Sequence, residues 1–195
     1  MALDKLKDLR LILASGSPRR QEFFKTMHFN FEVQVKSVEE VYPDHLKGSE
    51  ISDYLAQLKA QVFKDGLKPG EIVITSDTVV WHQDRSLAKP KNRDEAFHML
   101  RSLSDGWHQV ISSVCFTSLD RQETINHTTR VKFKALTDEE IGFYIDHYQP
   151  FDKAGAYGIQ EWIGHIGVEE IQGSYTNVMG LPTHLVYKTL IGMVS

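Results

Sequence analysis

The chain has 195 residues, 41% of them hydrophobic and 25% charged, with a formal net charge of −4. That length suits a single domain spanning 1–195, with room for two lobes around a cleft, and is ample for a full core. The acidic balance argues against a general nucleic-acid binder, which needs a basic excess for phosphate contacts.

The start, Met1 to Arg10, is charged and amphipathic, and the apolar run Leu11 to Ala14 is too short for a signal-peptide core. Leu9 to Ala14 reads as a buried strand ending in the turn Ser15-Gly16-Ser17-Pro18. Ser17 suits a helix N-cap, with Pro18 at the first helical position, where its missing N–H costs nothing. That helix runs to about Met27, and Phe31 to Val35 alternates like a strand. Ile51, Tyr54, Leu55, Leu58 and Val62 fall at helical spacing, which predicts an amphipathic helix over Ser49 to Asp65, broken by Lys68-Pro69-Gly70. Ile72 to Val80 is a nearly continuous β-branched run, the pattern of a central strand covered on both faces.

Asn92 with Glu95 signals the start of a helix that buries Ala96, Phe97, Leu100 and Leu103. Gln109 to Leu119 and Thr124 to Lys134 read as a long hairpin across the polar Asp120 to Glu123. Cys115, the single cysteine, lies within the first of these strands as a small buried hydrophobe; without a partner it fits a reducing, cytoplasmic setting. Thr137 and Glu140 form a capping box for a helix to about His147. A Gly-rich loop, strands near His165 to Ile171 and a closing helix from about Thr183 complete an α/β chain with a mixed sheet. Nothing approaches the roughly 20 apolar residues of a transmembrane helix, so no membrane partner is expected.

The sharpest chemical signal is Ser15-Gly16-Ser17-Pro18-Arg19-Arg20 between a strand and a helix. Open N–H groups and the dipole at a helix start attract anions, and two arginines with two hydroxyls add donors suited to phosphate. The same residues also make an ordinary cap with two solvated arginines. Asp77 lies inside the β-branched run, where a carboxylate is costly unless it is catalytic, bound to metal, or satisfied by a turn or a lysine. Lys59 flanks the buried stripe of its helix, and Lys89 precedes Pro90 in an extended segment. Both could reach a polyphosphate or remain surface charges. Glu39-Glu40 is a solvated pair, or supplies one carboxylate that joins Asp77 in holding Mg²⁺. His108 and His165 show no metal-ligand spacing and read as structural or exposed.

Several blocks then occur in order: Leu13-Ala-Ser-Gly-Ser-Pro-Arg-Arg20, Lys59-Ala60, Ser76-Asp77-Thr78-Val79, Lys89-Pro90, Ser104 with His108 and Val110, Asp152 to Gln160, and Gly173-Ser-Tyr through Gly180-Leu-Pro182. On these the chain, from about Leu11 to Tyr187, resembles the Maf family of nucleoside triphosphate pyrophosphatases, which share a fold with the inosine triphosphatases. The resemblance implies a strongly curved mixed sheet flanked by helices around a central active-site cleft. It also implies hydrolysis of a pyrimidine nucleoside triphosphate to the monophosphate and pyrophosphate, and a homodimer; within the class the alternative is a house-cleaning enzyme whose target is a modified pyrimidine nucleotide.

By that resemblance Asp77 is the proton acceptor, and Glu40 with Asp77 lies where a divalent metal is expected, Mg²⁺ first with Mn²⁺ or Co²⁺ as alternatives. Lys59, Lys89 and Arg20 would hold the triphosphate beside Ser15 and Ser17. Arg19, Thr78 and Gln160 would shape base specificity. The sibling subfamily acting on 7-methylguanosine triphosphate places Trp, Gln and Glu at those three positions, so this chain resembles the dTTP/UTP type. A neutral amide at Gln160 can donate to O4 and accept from N3–H of uracil or thymine. Ser76 replaces a commoner alanine, and Glu161 replaces a glycine often found there. The rival reading is a non-catalytic nucleotide-binding regulator of septum formation, against which the intact Asp77, Glu40, Lys59 and Lys89 weigh.

Overall fold

The apolar run near the start forms β1 (Arg10–Leu13), with Leu11, Ile12 and Leu13 all buried. The protein is described by a computed structural model covering residues 2–194. A short helix, α1 (Ala2–Lys5), and a 3-10 turn lead into β1. The first half continues with α2 (Pro18–Thr26), β2 (Phe31–Val33), α3 (Ser49–Gln61), β3 (Glu71–His82) and β4 (Arg85–Leu87). The second half contributes α4 (Arg93–Leu103), β5 (Trp107–Thr117), β6 (Gln122–Phe133) and α5 (Asp138–Tyr148). It ends with α6 (Trp162–Gly167), β7 (Val168–Gln172), α7 (Tyr175–Val178) and α8 (Thr183–Gly192). Two of the starts carry the caps expected of them. Asn92 accepts from the Glu95 N–H, and Thr137 and Glu140 close a reciprocal capping box.

The strands make one seven-stranded mixed sheet in the order β2-β1-β3-β5-β6-β7, with β4 paired to β3. β1 runs parallel to β2 and β3, and the remaining pairs are antiparallel. Side-chain alternation along β3 sorts the helices onto two faces. Ile72 and Ile74 pack with Phe24 of α2 and with Val186 and Leu190 of α8. Val80, on the same face, joins Leu100 of α4 and Ile141 and Tyr144 of α5. On the other face Val79 meets Ile51 and Leu55 of α3, and the Thr75 hydroxyl donates to the Ala56 carbonyl at 2.6 Å. Helices on both faces explain why this strand reads as a continuous apolar run instead of an alternating one.

β3 carries the site because its two edges differ. Along one edge β5 pairs with it from Val73 to Trp81. Along the other, β1 reaches only to Ile74 and β4 begins only at Val80, so residues 75–79 have no neighbouring strand there. The sheet is split at that point, and the end of β1 delivers Ser15 to Ser17 to it.

Two local expectations differ from the structure, and one hairpin was not foreseen. The helix begun at Ser49 ends at Gln61 and gives way to a 3-10 turn, and Tyr54 and Val62, expected on its buried face, are exposed. Residues 162–167 are helical where a strand was expected from His165, and β7 starts only at Val168. The turn into α6 closes because Gly164 has no side chain: a Cβ there would lie 1.8 Å from the Ile159 carbonyl oxygen. The β3–β4 hairpin was not legible, because its turn places Gln83 and Asp84 at positive φ without any glycine to mark it. Among the described residues no helix is long and apolar enough to cross a membrane.

Candidate active site

At the split in the sheet Ser76, Asp77 and Thr78 alternate in direction. Asp77 points toward α3, while Ser76 and Thr78 point toward α2. All three line a cleft of about 740 Å³, whose walls include Ser15, Ser17, Arg19 and Arg20 on one side and Lys59 and Lys89 on the other. Ser17 occupies the N-cap of α2, yet its side chain makes no cap bond; its N–H instead donates to Ser15 Oγ at 3.2 Å. The helix start therefore keeps its N–H groups and positive dipole end for a ligand, as an anion site requires. Ser76 Oγ is buried with no hydrogen-bond partner among the described residues, one more open donor at this wall.

Lys59 joins the two acidic candidates. Its Nζ lies 2.7 Å from Asp77 Oδ1 and 3.1 Å from Glu40 Oε1. Asp77 is 7% exposed, a burial an ionised carboxylate tolerates only with such a partner. Glu40 arrives on the irregular stretch 34–48 between β2 and α3. Lys89, on the extended stretch after β4, reaches the same cleft. No group of three or more His, Cys, Asp or Glu gathers among the described residues. The Glu40–Asp77 pair is a different kind of set: two hard oxygen donors already converging on one cation. That suits Mg²⁺, which is commonly held by one or two carboxylates and completed by water and substrate phosphates.

Arg20 is already occupied by protein acceptors. It donates through Nε to the Gly180 carbonyl at 2.9 Å, through Nη1 to the Ser76 carbonyl at 2.9 Å, and through Nη2 to Thr78 Oγ1 at 3.1 Å. The Ser76 carbonyl lies in the unpaired stretch of β3, so Arg20 tacks the broken edge to the loop before α8. Burial lowers the pKa of its guanidinium, with Asp77 and Glu40 opposing that shift and Arg19 adding to it. Arg19 donates to the Met179 carbonyl at 3.2 Å and faces Asp152 at 3.9 Å.

Thr78 and Arg19 thus stand in the cleft, but Gln160 does not line it; it sits on the turn beyond Ile159. From that segment the cleft takes Asp152, Lys153 and Tyr157 instead, none of which the sequence reading assigned a role. The sequence marked them only as members of the block Asp152 to Gln160. His108 is structural as expected: it is 2% exposed, and its Nε2 lies 2.7 Å from the Tyr157 hydroxyl. Burial, helped by nearby His82, brings its pKa down to about 3, so the ring is neutral. Cys115 is fully buried.

The fold and cleft define the class: an α/β protein whose mixed sheet breaks at a cleft lined by an open helix start, arginines, lysines and carboxylates. The chain belongs to the Maf family, whose model, described as Maf-like protein, matches residues 10–193. A dTTP/UTP pyrophosphatase of Flavobacterium johnsoniae is 54% identical over 194 residues, covering 100% of both chains. The protein of the same name from Christiangramia forsetii is 52% identical over 195 residues, again covering 100% of both. Among solved structures, the Ham1 protein of Staphylococcus aureus matches 64% of this chain and 71% of its own, at 14% identity and a TM-score of 0.47.

Proposed function

We propose that this chain is a nucleoside triphosphate pyrophosphatase that converts dTTP and UTP to their monophosphates and pyrophosphate. The observation that carries the reading is the Lys59–Asp77–Glu40 cluster at the split in the sheet, opposite an open helix start. Full-length relatives named for this activity support it.

Ser15, Ser17 and the α2 N-terminus receive phosphate oxygens. Lys59 and Lys89 offset the charge that develops as pyrophosphate departs. Asp77 Oδ1 is held by Lys59, which orients the carboxylate so that it can take a proton from an incoming water. The water oxygen bonds to the α-phosphorus in line with the breaking P–O bond to the β-phosphate, and pyrophosphate leaves with the electron pair. Glu40 and Asp77 are the residues that would hold a divalent ion, Mg²⁺ or by the same donor chemistry Mn²⁺ or Co²⁺. When bound, such an ion neutralises phosphate charge and polarises the α-phosphoryl oxygens. Arg19 and Thr78 face the nucleoside end, with Gln160 the further determinant that family resemblance supplies. A cytoplasmic homodimer that engages neither nucleic acid nor membrane completes the reading.

The test is pyrophosphate release with Mg²⁺ from all common nucleoside triphosphates and 7-methyl-GTP, comparing wild type with Asp77→Asn. Release from dTTP and UTP that falls by about 10²- to 10⁴-fold in the variant, with folding retained, is the expected result. Release from 7-methyl-GTP alone overturns the substrate assignment. Nucleotide binding without hydrolysis by the wild type puts the septum-regulator reading in its place.

A further inference from the structure

The segment after α5 carries a charged chain that the chemistry at Asp77 leaves unused. Lys153 is only 9% exposed, and its ammonium pairs with Asp152 Oδ1 at 2.7 Å and Glu161 Oε1 at 3.1 Å. Glu161 is braced from behind. The fully buried Tyr144 donates its hydroxyl hydrogen to Glu161 Oε2, and the same hydroxyl accepts the Gly158 N–H at 3.0 Å. Gly158 is needed for this approach, because a Cβ there would lie 2.9 Å from Glu161 Cδ and 3.1 Å from Lys153 Cε. At the other end Asp152 Oδ2 faces Arg19 Nη1 at 3.9 Å. The chain thus runs from α5 to the cleft wall, where Arg19, Asp152 and Lys153 all emerge.

An ammonium offers three N–H donors, and two carboxylates occupy two of them here. Asp152 and Glu161 balance the charges of Lys153 and Arg19, so this corner of the cleft has no excess positive charge to draw phosphate. A neutral acceptor with a strong dipole fits the remaining donor better, and uracil and thymine present ring carbonyls of that kind. We infer that Lys153 is a specificity-determining residue that donates to a carbonyl oxygen of the pyrimidine base, and that Glu161 is the positioning residue that aims it. The inference rests on the nucleotide reading proposed above and names the group that reads the base.

The experiment compares wild type, Lys153→Met, Lys153→Arg and Glu161→Gln for pyrophosphate release from UTP and dTTP. Inorganic tripolyphosphate serves as a base-free competitor. Lys153→Met is expected to lose roughly 10- to 100-fold in kcat/KM, mainly through KM, since a hydrogen bond from a charged donor is removed. Tripolyphosphate inhibition is expected to stay as in wild type. Lys153→Arg should recover part of the loss, and Glu161→Gln should show a smaller rise in KM at unchanged kcat. A parallel weakening of tripolyphosphate would make Lys153 a phosphate contact, and unchanged kinetics throughout would make the chain a structural ion pair; either result overturns the inference. Should the wild type release no pyrophosphate, the proposed activity fails first. Calorimetric titration of dTTP against tripolyphosphate, on wild type and Lys153→Met, then still decides whether Lys153 reads the base.

Discussion

Lys59 Nζ stands 2.7 Å from Asp77 Oδ1 and 3.1 Å from Glu40 Oε1, so a single ammonium from α3 pairs with two of the carboxylates of the cleft. The three residues come from a helix, a strand and an irregular segment, and only the lysine touches both others. Lys59→Met would leave Asp77 buried against α3 without its counter-charge. A fully buried broken pair costs about 3–5 kcal/mol, and the open cleft on one side reduces this to about 1–3 kcal/mol. Urea unfolding at neutral pH reads that loss directly, and a rise in KM for dTTP should accompany it. A variant with wild-type stability would show that Asp77 does not depend on this partner.

The sequence made the cleft residues visible one by one because each violates its surroundings. Asp77 interrupts a β-branched run, Lys59 flanks a buried stripe, and Ser15 to Arg20 crowd donors at a helix start. Helix starts at Asn92 and Thr137 were legible for the same reason, since their caps are local. What joins the residues was not legible. The gap between β1 and β4 depends on strand register, a property of long-range pairing that periodicity does not encode. Arg20 illustrates the consequence. Its charge suggested a phosphate ligand, while the unpaired Ser76 carbonyl at the gap claims one of its donors. Gln160 shows the limit for loops, because the Gly-rich turn is anchored by long-range contacts such as Tyr157 on His108, which local sequence does not encode.

Burial of His108 makes stability depend on pH in a defined direction. The ring's pKa is about 3 in the folded protein against an ordinary 6.5. Between those values the unfolded chain binds a proton that the folded chain refuses. The contribution of the neutral ring is therefore complete above about pH 6.5 and is lost as pH falls toward 3. A shift of this size corresponds to a few kcal/mol, on the order of one for each pH unit. Urea midpoints at pH 7, 6, 5 and 4 should decline more steeply in wild type than in His108→Gln. Equal slopes would show that the ring is protonated without unfolding.

Gly155 holds the cleft-facing part of the same segment in place. Its φ is +69°, and a Cβ would come within 3.0 Å of both Val80 methyl groups at the end of β3. Ala156 follows at φ +59°, so the chain makes two left-handed steps between Lys153 and Tyr157. Gly155→Ala combines left-handed strain of roughly 1–2 kcal/mol with a contact against a buried valine. The expected outcome is a lowered melting temperature together with a fall in kcat/KM for dTTP, as Lys153 and Tyr157 shift in the cleft. If activity falls while the melting temperature holds, the loop has moved without losing its packing on Val80.

Glu40 separates the cation role from the folding role, because the two carboxylates of the cluster differ in exposure. The Glu40 side chain is 48% exposed on an irregular stretch, whereas that of Asp77 is 10% exposed on the central strand. Glu40→Gln removes one hard anionic donor and keeps the shape, and its exposed pairing with Lys59 is worth at most about 1 kcal/mol. Stability should therefore stay near wild type. A site reduced from two carboxylates to one holds Mg²⁺ less firmly, so the Mg²⁺ concentration for half-maximal pyrophosphate release should rise, while saturating Mg²⁺ restores much of the rate. Asp77→Asn should remain inactive at every Mg²⁺ concentration, since it lacks the proton acceptor as well as a ligand. A Glu40→Gln enzyme with an unaltered Mg²⁺ requirement would confine Glu40 to partnering Lys59 and leave Asp77 alone to meet the ion.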